Sequence, residues 1–191
     1  MHAHPLRHSG QLLGLSASAA AEELPVAEAE RTRLNGLRLR LVATSLRPRI
    51  MDLLHRLETR GYHPLIAEDV WRSPERQRQL HREGRSKMAW SFHCATNPDG
   101  TPGSLAVDIV DAGLGWGAGR AFWIALGAAA RTEGLNWGGT FGLNAEPALK
   151  ARLDQALREL DADPSIKLGW DPAHVEAKDL SLSEAWAGAR L

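Results

Sequence analysis

Asp108 stands in the middle of an apolar run, Leu105-Ala106-Val107-Asp108-Ile109-Val110. Burying a carboxylate in such a run is costly unless something positive compensates it. The alternation of a strand puts Ala106, Asp108 and Val110 on one face, with Asp111 on the other near its end. On this segment alone, pairing with an arginine such as Arg72, or with backbone N–H groups, is sufficient compensation.

A second stretch reads Trp170-Asp171-Pro172-Ala173-His174-Val175-Glu176. If Ala173 to Glu176 is extended, His174 and Glu176 share a face, and Asp171 must reach that face from the turn that Pro172 imposes. A carboxylate held near a histidine suits general-base work on a metal-activated water. An ordinary Asp-Pro turn beside a surface histidine fits the same residues equally well. The third stretch is Ser91-Phe92-His93, and a turn at Asn97-Pro98-Asp99-Gly100 could fold the chain so that His93 lies beside Asp108. Two histidines, a buried aspartate and an open fourth position would make a catalytic zinc site rather than a closed structural one.

The elements that must position these residues mix strands and helices without βαβ alternation. The reading is therefore α+β, a small antiparallel sheet flanked by helices. Ile50, Leu53, Leu54 and Leu57 recur at helical spacing before Gly61. Ser73-Pro74 pairs a cap with a first-turn proline and opens a helix ending near Gly84. Further helices are expected over 118–132 and from an Asn144 cap to about Leu160. Strands are expected over 63–71, 105–110, 135–138, 166–169 and 173–177. Residues 1–44 form an N-terminal arm, partly disordered or helical, and 45–191 a single domain.

Composition excludes several classes. The 191 residues carry 23 Lys plus Arg against 23 Asp plus Glu, so no sequence-wide field draws the chain to nucleic acid or an anionic membrane. The run Arg76, Arg78, Arg82, Arg85 and Lys87 is interleaved with Glu75 and Glu83, as on a solvated helix face. Cys94 is the single cysteine, which excludes an intrachain disulfide and a Cys-rich zinc knuckle, and no apolar run is long enough to span a bilayer. Arg7, the leucines at 12, 13 and 15, and Ala17-Ser18-Ala19 make only a weak export signal. Of the seven tryptophans, Trp90, Trp137 and Trp170 fall beside the candidate site, whereas Trp116, Trp123 and Trp186 are expected in the core.

From Leu46 to Glu176 the chain resembles the D-alanyl-D-alanine carboxypeptidase and L-alanyl-D-glutamate endopeptidase group of zinc peptidases, with its VanY-type carboxypeptidases and phage endolysins. The resemblance rests on four motifs in order: Trp71-Arg72-Ser73 followed by Arg76-Gln77 and Gly84-Arg85-Ser86; Ser91-Phe92-His93 with Ala106-Val107-Asp108; Trp137-Gly138-Gly139; and Asp171-Pro172-Ala173-His174-Val175-Glu176. It implies that His93, Asp108 and His174 bind Zn2+, that Asp171 is the general base and that Arg72 steadies the oxyanion. Glu176, and less directly Ser91, would orient ligands.

The implied substrate is the stem peptide of peptidoglycan, cut between L-Ala and D-Glu, with D,D-carboxypeptidase activity as the alternative. A competing class is a zinc-containing module that grips cell wall or a protein without cutting. Action on the wall would follow lysis or secretion. The departure from the family is the spacing of the second motif, S-x-H-x-x-G-x-A-x-D, in which His and Asp stand seven residues apart. Here fifteen positions separate His93 from Asp108. A loop excursion of that size adds little closure entropy. The expectation is a surface loop over 95–103 beside the substrate groove, supplying no ligand.

Overall fold

The computed structural model describes residues 17–188, with side chains from residue 28 onward. The histidines at 2, 4 and 8 lie outside the described residues, as does nearly all of the weak export-signal stretch. In chain order the helices are α1 (Ala17–Leu39), α2 (Arg47–Glu58), α3 (Pro74–Arg82), α4 (Arg120–Thr132), α5 (Pro147–Glu159) and α6 (Leu182–Trp186). The strands are β1 (Pro64–Ile66), β2 (Ala106–Asp111), β3 (Leu135–Trp137) and β4 (His174–Ala177), joined in one antiparallel sheet of order β1-β2-β4-β3. The class is α+β.

Each helix follows its apolar spacing. In α2, Ile50, Leu53, Leu54 and Leu57 are all buried, and burying each contributes roughly 1.5–3 kcal/mol relative to exposure. In α3, Ser73 accepts from the Arg76 N–H at 3.1 Å, Pro74 fills the first turn, and the inward face holds Gln77 and Leu80. Helix α4 packs on β3, α2 and α5, and together with the sheet they enclose the core. All of β2 up to Val110 is buried, so this strand is covered on both faces and reads as a continuous apolar run broken only by Asp108.

Helix α1 docks along the outer side of β1. The Asn35 side chain donates to the Pro64 carbonyl at 3.0 Å and accepts from the Ile66 N–H at 2.9 Å. Arg31 also donates to the Pro64 carbonyl at 2.9 Å, and Arg38 to the Ile66 carbonyl at 2.5 Å.

Three expectations need correction, and one helix lies outside them. Residues 166–169 form no strand; Gly169 packs on the Phe141 backbone, and its N–H bonds the Gly139 carbonyl at 2.6 Å. Asn144 does not cap α5, which begins at Pro147 behind Glu146 without a side-chain cap. Trp116 and Trp186 are not core residues but are 64% and 74% exposed. Helix α6, stabilised by a Ser181–Glu184 capping box, was not anticipated because five residues carry too little periodicity to read.

Candidate metal centre

Strand register brings two of the candidate ligands together. In the β2–β4 pair Asp108 lies directly opposite His174, and Ala106 opposite Glu176. Directly opposed residues project to the same face, so Asp108, His174 and Glu176 share one side of the sheet. In the β3–β4 pair Asn136 faces Glu176 and joins them.

His93 arrives from the 3₁₀ turn Phe92–Cys94, which is tied to the sheet by Leu105 N–H to the Phe92 carbonyl at 3.0 Å. Arg72 N–H bonds the His93 carbonyl at 3.0 Å, which ties the start of α3 to the same turn. The fifteen-residue interval is spanned by a loop closed at its neck, with Gly103 N–H bonded to the Ala95 carbonyl at 3.2 Å. Inside the loop, Asp99 accepts from the Thr101 N–H at 3.0 Å and from its hydroxyl at 2.6 Å. Asp99 is thus engaged locally, and the metal-capable cluster among the described residues contains only His93, Asp108 and His174. No residue of 95–103 lines the cleft, so the loop contributes nothing to its walls.

The three donor atoms converge. Asp108 Oδ1 is 3.0 Å from His174 Nδ1 and 3.7 Å from His93 Nε2, and the two ring nitrogens are 3.3 Å apart. Donors held 2.0–2.1 Å from a tetrahedral ion stand about 3.3 Å from one another, which matches this triangle. The remaining nitrogens are also engaged: His93 Nδ1 lies 2.9 Å from the Val70 carbonyl and His174 Nε2 lies 3.0 Å from Glu176 Oε2. Both partners are acceptors, so each ring holds its proton there and turns a lone pair toward Asp108. Two lone pairs and a carboxylate at such distances repel unless a cation joins them, and the donor set fits a metal ion.

Without metal, protons take that place. Burial is the largest influence on His174 and disfavours its charged form. Hydrogen bonds and charge from Asp108 and Glu176 outweigh it, so the imidazole is pushed up to about 10. Burial likewise works against the Asp108 carboxylate, but His93 and His174 hold it well below the ordinary range. In the metal-free protein the His174 contribution to stability is complete below its ordinary value of 6.5 and is lost as pH rises toward about 10. The Asp108 contribution is present above its ordinary value of 3.8 and is lost as pH falls. Uptake of a divalent metal ion at pH 8 should therefore release about one proton per chain. Calorimetry in buffers of different ionisation enthalpy measures this, and the release should vanish as pH passes the raised value.

The cluster lies on the floor of an open cleft of about 870 Å³. Arg72 and Asp171 line it, as do Lys87, Trp116, Phe141 and Trp170. Arg72 donates to Asp108 Oδ2 at 3.1 Å, so this carboxylate serves His174 through one oxygen and Arg72 through the other. Asp171 is pushed up chiefly by burial, against the pull of His174, His93 and Arg72. Ser91 does not orient His93; its hydroxyl donates to Gln77 Oε1 at 3.2 Å, and the Val70 carbonyl takes the ring proton instead.

The chain is similar to the Serratia marcescens L-Ala D-Glu endopeptidase ChiX. With that solved structure it shares 22% identity over 76% of this chain and 86% of that one, at a TM-score of 0.43. No family model and no curated protein matches the chain.

Two residues quoted within the sequence motifs have roles there that the sequence does not assign. Fully buried Gln77 donates to Ser86 Oγ at 2.8 Å and to the Met88 carbonyl at 2.7 Å, and so holds one wall of the cleft. Its signal was a polar side chain on the inward face of an amphipathic helix. Gly138 fits where little else can: an added Cβ would overlap the Asp171 carbonyl oxygen and come within 3.0 Å of His174 Cβ. Gly138→Ala is expected to cost about 2 kcal/mol in stability. It should also displace Asp171, so urea denaturation and zinc affinity should both change.

Proposed function

We propose that this protein is a zinc-dependent amide hydrolase acting on peptidoglycan stem peptides, most favourably between L-Ala and D-Glu. The observation that carries the reading is the donor triangle of His93, Asp108 and His174, with sides of 3.0 to 3.7 Å on the floor of an open cleft. Asp171, a carboxyl with a raised pKa, lines the same cleft. A module that only grips the wall has no need of that extra carboxyl. The stem peptide as substrate rests on the ordered motifs from Trp71 to Glu176.

In this reading His93 Nε2, Asp108 Oδ1 and His174 Nδ1 would hold the ion. Zinc, when bound, supplies Lewis acidity and lowers the pKa of a coordinated water toward neutrality. Asp171 takes a proton from the attacking water and delivers it to the leaving amine, a task its raised pKa suits. Arg72, held against Asp108, presents positive charge where the carbonyl oxygen becomes anionic. Glu176 keeps His174 in the tautomer that leaves Nδ1 free.

Mass spectrometry of muropeptides after digestion of purified peptidoglycan tests the proposal. The expected products carry a new D-Glu amino terminus and disappear on chelation. Release of terminal D-Ala would assign the carboxypeptidase activity instead. Zinc-loaded protein that sediments with the wall and leaves every muropeptide intact would establish a binding module and overturn the hydrolase.

A further inference from the structure

The cleft is walled by carboxylates. Asp69, Asp108, Asp171 and Glu176 all line it, so an anionic peptide can enter only where a cation is free to meet it. Three basic side chains, apart from the histidines, line the same space. Arg72 is committed to Asp108 at 3.1 Å and lies 3.3 Å from Asp69, and Arg85 lies 3.7 Å from Glu83. Lys87 has no carboxylate partner among the described residues. Its ammonium lies over the Trp170 ring, 4.0 Å from the centroid.

Both halves of this contact are held from behind. The Gln77 amide donates to Ser86 and Met88, the residues on either side of Lys87, and fixes the backbone that carries it. The Trp170 ring rests on Gly142, where φ is +84° and an added Cβ would lie 3.2 Å from Trp170 Cδ1. The same ring meets Phe141 at a centroid distance of 5.2 Å, and Phe141 meets His174 at 5.8 Å. The half-exposed Trp170 ring thus connects the Lys87 ammonium to the metal-facing histidine through a continuous row of rings.

An ammonium over an exposed indole face is weakly held. A charge-assisted hydrogen bond to a carboxylate is stronger. We propose that Lys87 and Trp170 form a substrate clasp, in which the Lys87 ammonium takes up a peptide carboxylate next to the scissile bond while Trp170 packs against the peptide. The clasp rests on the stem-peptide reading above and gives it a specificity: the D-Glu α-carboxyl must be free rather than amidated.

The test uses two synthetic stem tripeptides that differ only in that group, carboxylate in one and carboxamide in the other. Binding is measured by calorimetry on the zinc-loaded Asp171→Asn protein, so that neither is cut. The carboxylate peptide is expected to bind about tenfold more tightly, the scale of one charged hydrogen bond. Lys87→Met should abolish the difference and leave the carboxamide peptide unaffected. Lys87→Arg should retain it, and added salt should reduce it. Equal affinity for both peptides, discrimination that survives Lys87→Met, or no binding of either peptide at millimolar concentration each overturns the clasp. Cleavage by the protein with Asp171 intact is scored separately, so failure of the hydrolase reading leaves this result interpretable.

Discussion

On the proposed reading, replacing His174 with alanine should abolish stoichiometric zinc uptake and any hydrolysis that depends on it. His174 provides one corner of the donor triangle and is also the charge shared by Asp108 and Glu176, at 3.0 Å from each. Loss of an outer partner alone typically costs ten- to a hundredfold in metal affinity, so loss of a direct donor should exceed about a hundredfold. Competition with a chromophoric chelator measures this. Glu176→Gln is the companion variant: it still accepts the Nε2 proton, preserves the fold and should fall only within the smaller range. A His174→Ala protein that is folded by circular dichroism and binds zinc within tenfold of the parent would mean that the ligand set is wrong.

Asp171→Asn should separate chemistry from metal binding. The residue lies outside the donor triangle, and its carboxyl is pushed up by burial, so the neutral amide suits the site sterically and electrostatically. Zinc affinity should stay within a few fold, whereas kcat should fall by about a hundredfold or more. The folded pKa is raised, so wild-type activity should decline on the acid side at a pH above the ordinary aspartate range, as the base becomes protonated. The variant should lose that limb of the profile. A rate near the parent's on the same peptidoglycan assigns the base to another residue.

The site was legible in the sequence to the extent that it depends on local pattern. Asp108 was conspicuous as the one charge inside an apolar strand, and period-2 geometry placed His174 and Glu176 on a common face. Register was not legible. That Asp108 stands opposite His174 depends on β2 and β4 pairing across sixty-six positions, which no local pattern encodes. The partner of His93 was misread because a backbone carbonyl, that of Val70, is invisible as a motif, and Ser91 offered a nearer hydroxyl.

The fold shows the same division. Helix α2 was readable from four buried positions at helical spacing. The stretch 166–169, expected as a strand, has no strand partner, and its Gly169 N–H bonds the Gly139 carbonyl of a turn. Trp116 was placed in the core on residue type alone, yet it is exposed and lines the cleft. A large aromatic is informative about burial only when its neighbours repeat the pattern.

The bonds from α1 to β1 bear on self-association. An edge strand with free N–H and C=O groups templates pairing with another molecule. In β1 the outward-facing groups are already taken: the Pro64 carbonyl by Asn35 and Arg31, the Ile66 N–H by Asn35 and the Ile66 carbonyl by Arg38. Pro64 itself has no N–H to offer. The helix thus acts as a molecular stopper on the sheet, made of amide and guanidinium groups in place of another strand. A form of the chain trimmed to begin at residue 45 would keep every proposed zinc ligand and lose this stopper, leaving an adhesive edge prone to oligomers and fibrils.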